Sequence, residues 1–72
     1  MKIGEALDAI KQDESVRRKD WYKGRSIRHG EICGLPVILS TNFEGKDSPW
    51  IPQYEDLMAD DWIILRKERI NG

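Results

Sequence analysis

Apolar residues recur at Ile3, Ala6, Leu7 and Ile10, the i, i+3, i+4, i+7 spacing that gathers them on one helical face. Glu5 near the start and Lys11 near the end suit the helix dipole. This predicts an N-terminal amphipathic helix ending around Asp13, with its stripe laid on a sheet. Val16 to Tyr22 then alternates loosely and predicts a strand. Its period of two puts Val16, Arg18 and Asp20 on one side and Arg17, Lys19 and Trp21 on the other. A regular strand would therefore part Arg18 from Trp21. Gly24 follows as a turn residue, and Ser26-Ile27-Arg28 predicts a second strand ended by Gly30. After Gly34, Leu35 to Thr41 carries Val37-Ile38-Leu39, a continuous apolar run suited to a strand covered on both faces. Asn42-Phe43-Glu44-Gly45 reads as a turn, with Gly45 free to take positive φ.

The stretch 47–62, DSPWIPQYEDLMADDW, has a different texture. Pro49 and Pro52 push the residues before them out of helical geometry, so Ser48 to Ile51 should be extended and Trp50 held on a stiff segment. Pro52 suits the first turn of a short helix, where its missing N–H costs nothing. Tyr54, Leu57 and Met58 fall at one-turn spacing and share a face. The helix should stop by Asp60, and Asp61-Trp62-Ile63-Ile64-Leu65 reads as a buried strand. Residues 66–72 are polar and expected to fray. The sum is helix, two or three strands, short helix, strand. That is an α+β fold, a small antiparallel sheet with its helices on one face.

A chain of 72 residues makes one domain, and a domain this small is marginal alone. A disulfide or a metal would be the usual supplement. One cysteine, Cys33, cannot pair internally, and one histidine, His29, cannot complete a zinc site with it. Oligomerisation is left, with the tryptophans and Ile63-Ile64-Leu65 as apolar surface. The net charge of −1 argues against a general DNA or RNA binder. The charge is unevenly placed, however. Arg17, Arg18, Lys19, Lys23, Arg25 and Arg28 form a basic segment, while Glu44 to Asp61 is mostly acidic. The basic segment fits either a solvated face or a patch that holds a small anion. The N-terminus is not a signal peptide, and no apolar run reaches membrane-spanning length. With a lone cysteine, these point to a cytosolic protein.

Catalytic motifs are missing: no G-x-S-x-G, no P-loop, no paired histidines. His29 and Cys33 flank Gly30 in what reads as a loop, and a free thiol describes Cys33 better than a dyad. Asp56, Asp60 and Asp61 lack the glycine and ligand spacing of a calcium loop. No catalytic residue, metal or cofactor is therefore expected. Binding chemistry is better supplied. A nucleotide needs a π-face for its base and donors for its phosphates. Trp21, Tyr22, Trp50, Arg17, Arg18 and Arg25 provide both, and Asp56 offers an acceptor for a ribose hydroxyl or an amine. Trp62, beside Ile63 and Ile64, reads as core. Trp21, among charged neighbours, reads as a rim or interface residue. Trp50 fits either, and Asp61 fits a cap near the helix end.

The spacing W-x-P-x-x-x-D followed by L-x-A-x-D-W is carried by Trp50, Pro52, Asp56, Leu57, Ala59, Asp61 and Trp62. It resembles the signature of the phage Thoeris anti-defence 2 family. GEALDAIK (Gly4 to Lys11), Val16-Arg17-Arg18 and Trp21 resemble that family's opening helix and first strand. Gln53-Tyr54 stands where the family usually has Ser-Gln, and residues 27–48 match only loosely. The resemblance implies a non-enzymatic sponge working in the host cytoplasm. It implies a homo-oligomer, a dimer or tetramer, with ligand pockets between subunits. It implies that the chain sequesters a cyclic ADP-ribose isomer made by the Thoeris TIR-domain protein. The alternatives are a CBASS-type cyclic oligonucleotide as ligand, or a small interaction module that inhibits a host protein. On this reading the ligand meets Arg17, Arg18, Trp21, Arg25, Trp50 and Asp56.

Overall fold

The protein's computed structural model describes residues 1–65. In chain order they form α1 (Ile3–Lys11), β1 (Ser15–Arg18), β2 (Ser26–Ile32), β3 (Leu35–Thr41), β4 (Asp47–Pro49), α2 (Tyr54–Met58) and β5 (Trp62–Leu65). The strands make one five-stranded sheet in the order β4-β3-β2-β1-β5, antiparallel at every junction. The α+β fold expected from the pattern is therefore the one observed. The expected fraying of residues 66–72 lies outside the described residues.

Register sorts the side chains into two faces. Val16 sits opposite Ile64 and Ile27, and Arg18 opposite Trp62. Alternation along each strand puts these on one face and Arg17, Ile63, Leu65, Ser26 and Arg28 on the other. α1 packs on β1, β2 and β5 and touches α2, so both helices cover the Val16 face. The core there is small: Ala6, Ala9 and Ile10 from α1, Val16, Ile27 and Trp62 from the sheet. Burying one Val- or Ile-sized side chain contributes about 1.5–3 kcal/mol, so few residues hold this domain together.

Four local expectations are corrected. β1 stops at Arg18 rather than running to Tyr22. The Lys19 amide donates to the Asp61 carbonyl, and the Trp21 amide turns back to the Arg18 carbonyl at 3.1 Å. That turn breaks the alternation, so Trp21 is not bound to the face opposite Arg18. Gly30 does not end β2, which continues to Ile32 with Gly30 opposite Val37. The true punctuation is Cys33-Gly34, both at positive φ (52° and 79°), a two-residue hairpin turn. β3 is not covered on both faces: nine helical residues cannot span the sheet, and Leu35 is left exposed. Pro52 lies before α2 rather than in its first turn. The N-cap is Gln53, whose amide donates to the Asp56 carboxylate at 3.1 Å.

The final strand also differs from its expectation. Of its residues only Trp62 is buried, because β5 is an edge strand. An additional short strand, β4, forms where the chain returns toward Trp50, and the Trp50 amide donates to the Ile38 carbonyl. Tyr54, Leu57 and Met58 do share a face of α2, and that face is exposed with Ile51 beside it.

Candidate functional site

The connection from β1 to β2 is short and cationic, and it folds beside the helix-free face of the sheet. Arg17, Ser26 and Leu65 project from that face. Lys19, Trp21, Lys23, Gly24 and Arg25 come from the connection. Together they line a cleft of about 520 Å³. Four cations line it and no carboxylate does, among the described residues. Like charges concentrated in a concave surface focus a positive potential there despite the chain's near-neutral total. Positive φ at Gly24 (96°) permits the turn, and a side chain there would press on the Phe43 backbone at 3.1 Å.

Each lining cation is held differently. Arg17 gives Nη1 to three carbonyls of the turn, those of Arg18, Lys19 and Trp21, at 3.2–3.4 Å. That fixes the guanidinium plane and leaves its other nitrogens without partners among the described residues. Arg25 places Cζ 4.0 Å from the centroid of the Trp21 ring, a cation–π contact. Trp21 itself meets Trp62 at 5.2 Å between ring centroids, inclined by 80°. The indole is therefore backed by the core and reaches the cleft.

The other sequence candidates fall behind this wall. Arg18 gives Nε to Asp61 at 3.0 Å and Nη1 to Asp56 at 3.2 Å. Asp56 is buried, and its carbonyl accepts the Trp62 indole N–H at 3.0 Å. One aspartate thus caps α2, neutralises Arg18 and anchors the central tryptophan. Trp50 packs on Trp62 at 6.0 Å and 90°, away from the cleft, and its buried Nε1 has no partner among the described residues. Asp61, expected as a cap, is instead the second partner of Arg18. Arg28 of the basic segment pairs with Asp47 across β3. So the structure brings Arg17, Trp21 and Arg25 together, and sets Arg18, Asp56 and Trp50 around Trp62. Lys19 and Lys23, read from the sequence as part of the basic segment but not among the residues expected to meet the ligand, join the cleft. The concentration of cations between Arg17 and Arg25 was the signal that could have found them.

The ion-pair cluster sets an acid limit. The Arg18 hydrogen bond holds the Asp61 carboxyl below its ordinary value, against the opposing effect of burial. The same bond raises the Arg18 guanidinium, with burial opposing and Asp56 adding to the rise. With the folded pKa of Asp61 depressed, the unfolded chain binds the proton first as pH falls. This stabilisation is complete above the ordinary carboxylate value of about 3.9 and is lost as pH drops through the depressed one. Asp61→Asn should therefore flatten the acid limb of stability below about pH 4. Thermal melts across that range check this, and an acid limb as steep as the parent's would contradict the pairing.

A second hollow of about 360 Å³ lies between α1 and β3 and is almost wholly apolar, with Leu7, Ile10 and Ile38 in its wall. Among the described residues Lys11 and His29 are its only ionisable lining groups, and no tryptophan, tyrosine or phenylalanine ring lines it to stack a base. His29 approaches Asp13 at 3.5 Å, whereas Cys33 sits in the hairpin turn past the end of β2. Four residues of extended chain separate His29 from Cys33 by roughly 10 Å or more, too far for a thiol–imidazole bond. Among the described residues no cluster has the makings of a metal site, and no helix is long and apolar enough to cross a membrane.

The model of the Thoeris anti-defense 2-like domain matches residues 1–65. The chain is also similar to a Bacillus phage SP01 protein named Thoeris anti-defense 2. The two are 28% identical over 85 residues, covering 90% of this chain and 94% of that protein. A match that takes in every element from α1 to β5 settles the relationship, and the chain belongs to the Thoeris anti-defense 2-like family of anti-defence proteins.

Proposed function

We propose that the protein is a phage anti-defence sponge: it binds a cyclic nucleotide immune signal, a cyclic ADP-ribose isomer of the Thoeris type, and withholds it without cleaving it. The observation that carries this reading is the cleft, where one indole stands among Arg17, Lys19, Lys23 and Arg25 with no carboxylate beside them among the described residues. A π-face stacks a base, and guanidinium and ammonium groups take phosphate oxygens. Among the described residues neither histidine nor carboxylate lines the cleft to act as a general base, which favours retention over turnover. Arg18 and Asp56 enter as the pair that fixes Trp62, and through it the Trp21 ring. The protein acts in this role in the host cytoplasm.

Calorimetric titration tests the reading with cyclic ADP-ribose isomers, cyclic dinucleotides, linear ADP-ribose and inorganic phosphate. Saturable binding of a cyclic ADP-ribose isomer is expected, weakening as salt screens the cations. Preference for a cyclic dinucleotide would move the ligand to the CBASS class. Binding indifferent to salt would contradict the role given to the cleft.

The protein works in this proposal as a homo-oligomer. Ile51, Tyr54 and Met58 expose apolar surface on and beside α2, and Leu35 does so on β3. A small core leaves such surface available for a second copy. Light scattering after size exclusion at micromolar concentration should give a dimer or a tetramer. A stably folded species of 8.4 kDa would contradict it.

A further inference from the structure

We propose that Arg25 is a displaceable lid on Trp21: its guanidinium occupies the indole face in the free protein, and an incoming nucleobase takes that face while Arg25 turns onto the ligand's phosphate. The inference deepens the proposed site and rests on it. Arg25 Cζ stands 4.0 Å over the ring centroid, within the space a stacked base would fill. The two cannot share it. Among the described residues Trp21 is also the only aromatic side chain lining the cleft, so the displaced face has no substitute among them.

What marks Arg25 as the mobile partner is how little else holds it. Arg17 is tied to three carbonyls, Arg18 to two carboxylates and Arg28 to Asp47. The Arg25 guanidinium makes no hydrogen bond or ion pair among the described residues. Only its backbone amide is fixed, by the Tyr22 carbonyl at 3.2 Å. A cation–π contact between these two half-exposed side chains holds the lid closed by about two- to fivefold. A base stacked on an indole is favoured by roughly fivefold to 150-fold, so the base displaces the guanidinium. The freed guanidinium then offers a phosphate two parallel N–H donors. The consequence is selectivity. A ligand with base and phosphate regains through the phosphate what opening the lid loses. A base alone does not.

Adenosine and pyrophosphate separate the two halves of this exchange. Their binding to the parent and to Arg25→Ala is followed through the indole N–H signals in nuclear magnetic resonance. Arg25→Ala should bind adenosine about two- to fivefold more tightly than the parent. It should bind pyrophosphate more weakly. A residue that merely braces the loop would weaken both. In the free parent, ring current from Trp21 should shift the Arg25 δ-methylene protons upfield, and Trp21→Leu should abolish that shift. This second readout does not depend on how Arg25→Ala folds. Unshifted δ protons, or adenosine bound by the variant no more tightly than by the parent, overturn the lid while leaving the cleft's reading in place. Failure of both probes to move any indole signal of the parent at millimolar concentration overturns lid and cleft together.

Discussion

Trp62→Ala is expected to unfold the domain. Trp62 is 2% exposed, and it lies between the rings of Trp21 and Trp50. Its indole N–H is bound to the Asp56 carbonyl, and its amide to the Met1 carbonyl. One side chain thus joins β5 to α2, to the β1–β2 connection and to the segment after β4. Truncating a buried tryptophan costs about 3–5 kcal/mol. At about 0.05–0.15 kcal/mol per residue, a domain of 72 residues has about 4–11 kcal/mol of stability. The loss takes about a third of that at the top of the range and all of it at the bottom. Trp62→Phe should be milder, losing the N–H bond and some volume and leaving the Asp56 carbonyl short of a donor. Circular dichroism with urea titration checks both. A cooperative Trp62→Ala transition near the parent's midpoint would contradict the central place given to this residue.

Trp21→Ala should do the opposite, keeping the fold and losing the ligand. Trp21 is partly exposed, and its contact with Trp62 contributes about 0.5–1.5 kcal/mol beyond its buried area. Removing a stacked indole should weaken binding by about 1–3 kcal/mol, roughly fivefold to 150-fold. Arg17→Ala should cost a similar factor and also flatten the salt dependence, since its guanidinium is aimed by the turn carbonyls. Arg18→Ala should act first on stability, because it leaves the buried Asp56 without its cation. Calorimetric titration after a dichroism check distinguishes these outcomes. A folded Trp21→Ala that binds the chosen cyclic nucleotide as tightly as the parent would place the site elsewhere.

Much of this arrangement could be read from the chain, for identifiable reasons. The α1 stripe was legible because its apolar residues repeat at the helical period over a full two turns. Trp62 was legible as core because it is a large aromatic beside two isoleucines. Strand ends were less legible. β1 stops at Arg18 through backbone bonds to Asp61 and to its own turn, and Asp61 lies 43 residues away from Arg18. Local alternation carries no information about such a partner. Gly30 looked like punctuation, whereas the chain turns at Cys33, a residue type with no strong preference for positive φ. The cationic cleft was half legible. The charges are adjacent in sequence, but which of them are spent on ion pairs depends on Asp56, Asp61 and Asp47 being folded back onto Arg18 and Arg28.

A sponge of the kind proposed holds its ligand intact. The direct measurement is to mix it with a panel of cyclic ADP-ribose isomers and cyclic oligonucleotides and remove what stays free. The protein is then heat-denatured, and the released material is identified by mass spectrometry. Release of an unaltered cyclic ADP-ribose isomer, in proportion to the protein's binding sites, is the expected result. Release of a linear or otherwise altered nucleotide would make the protein an enzyme, and release of nothing would leave the cleft without the occupant proposed for it.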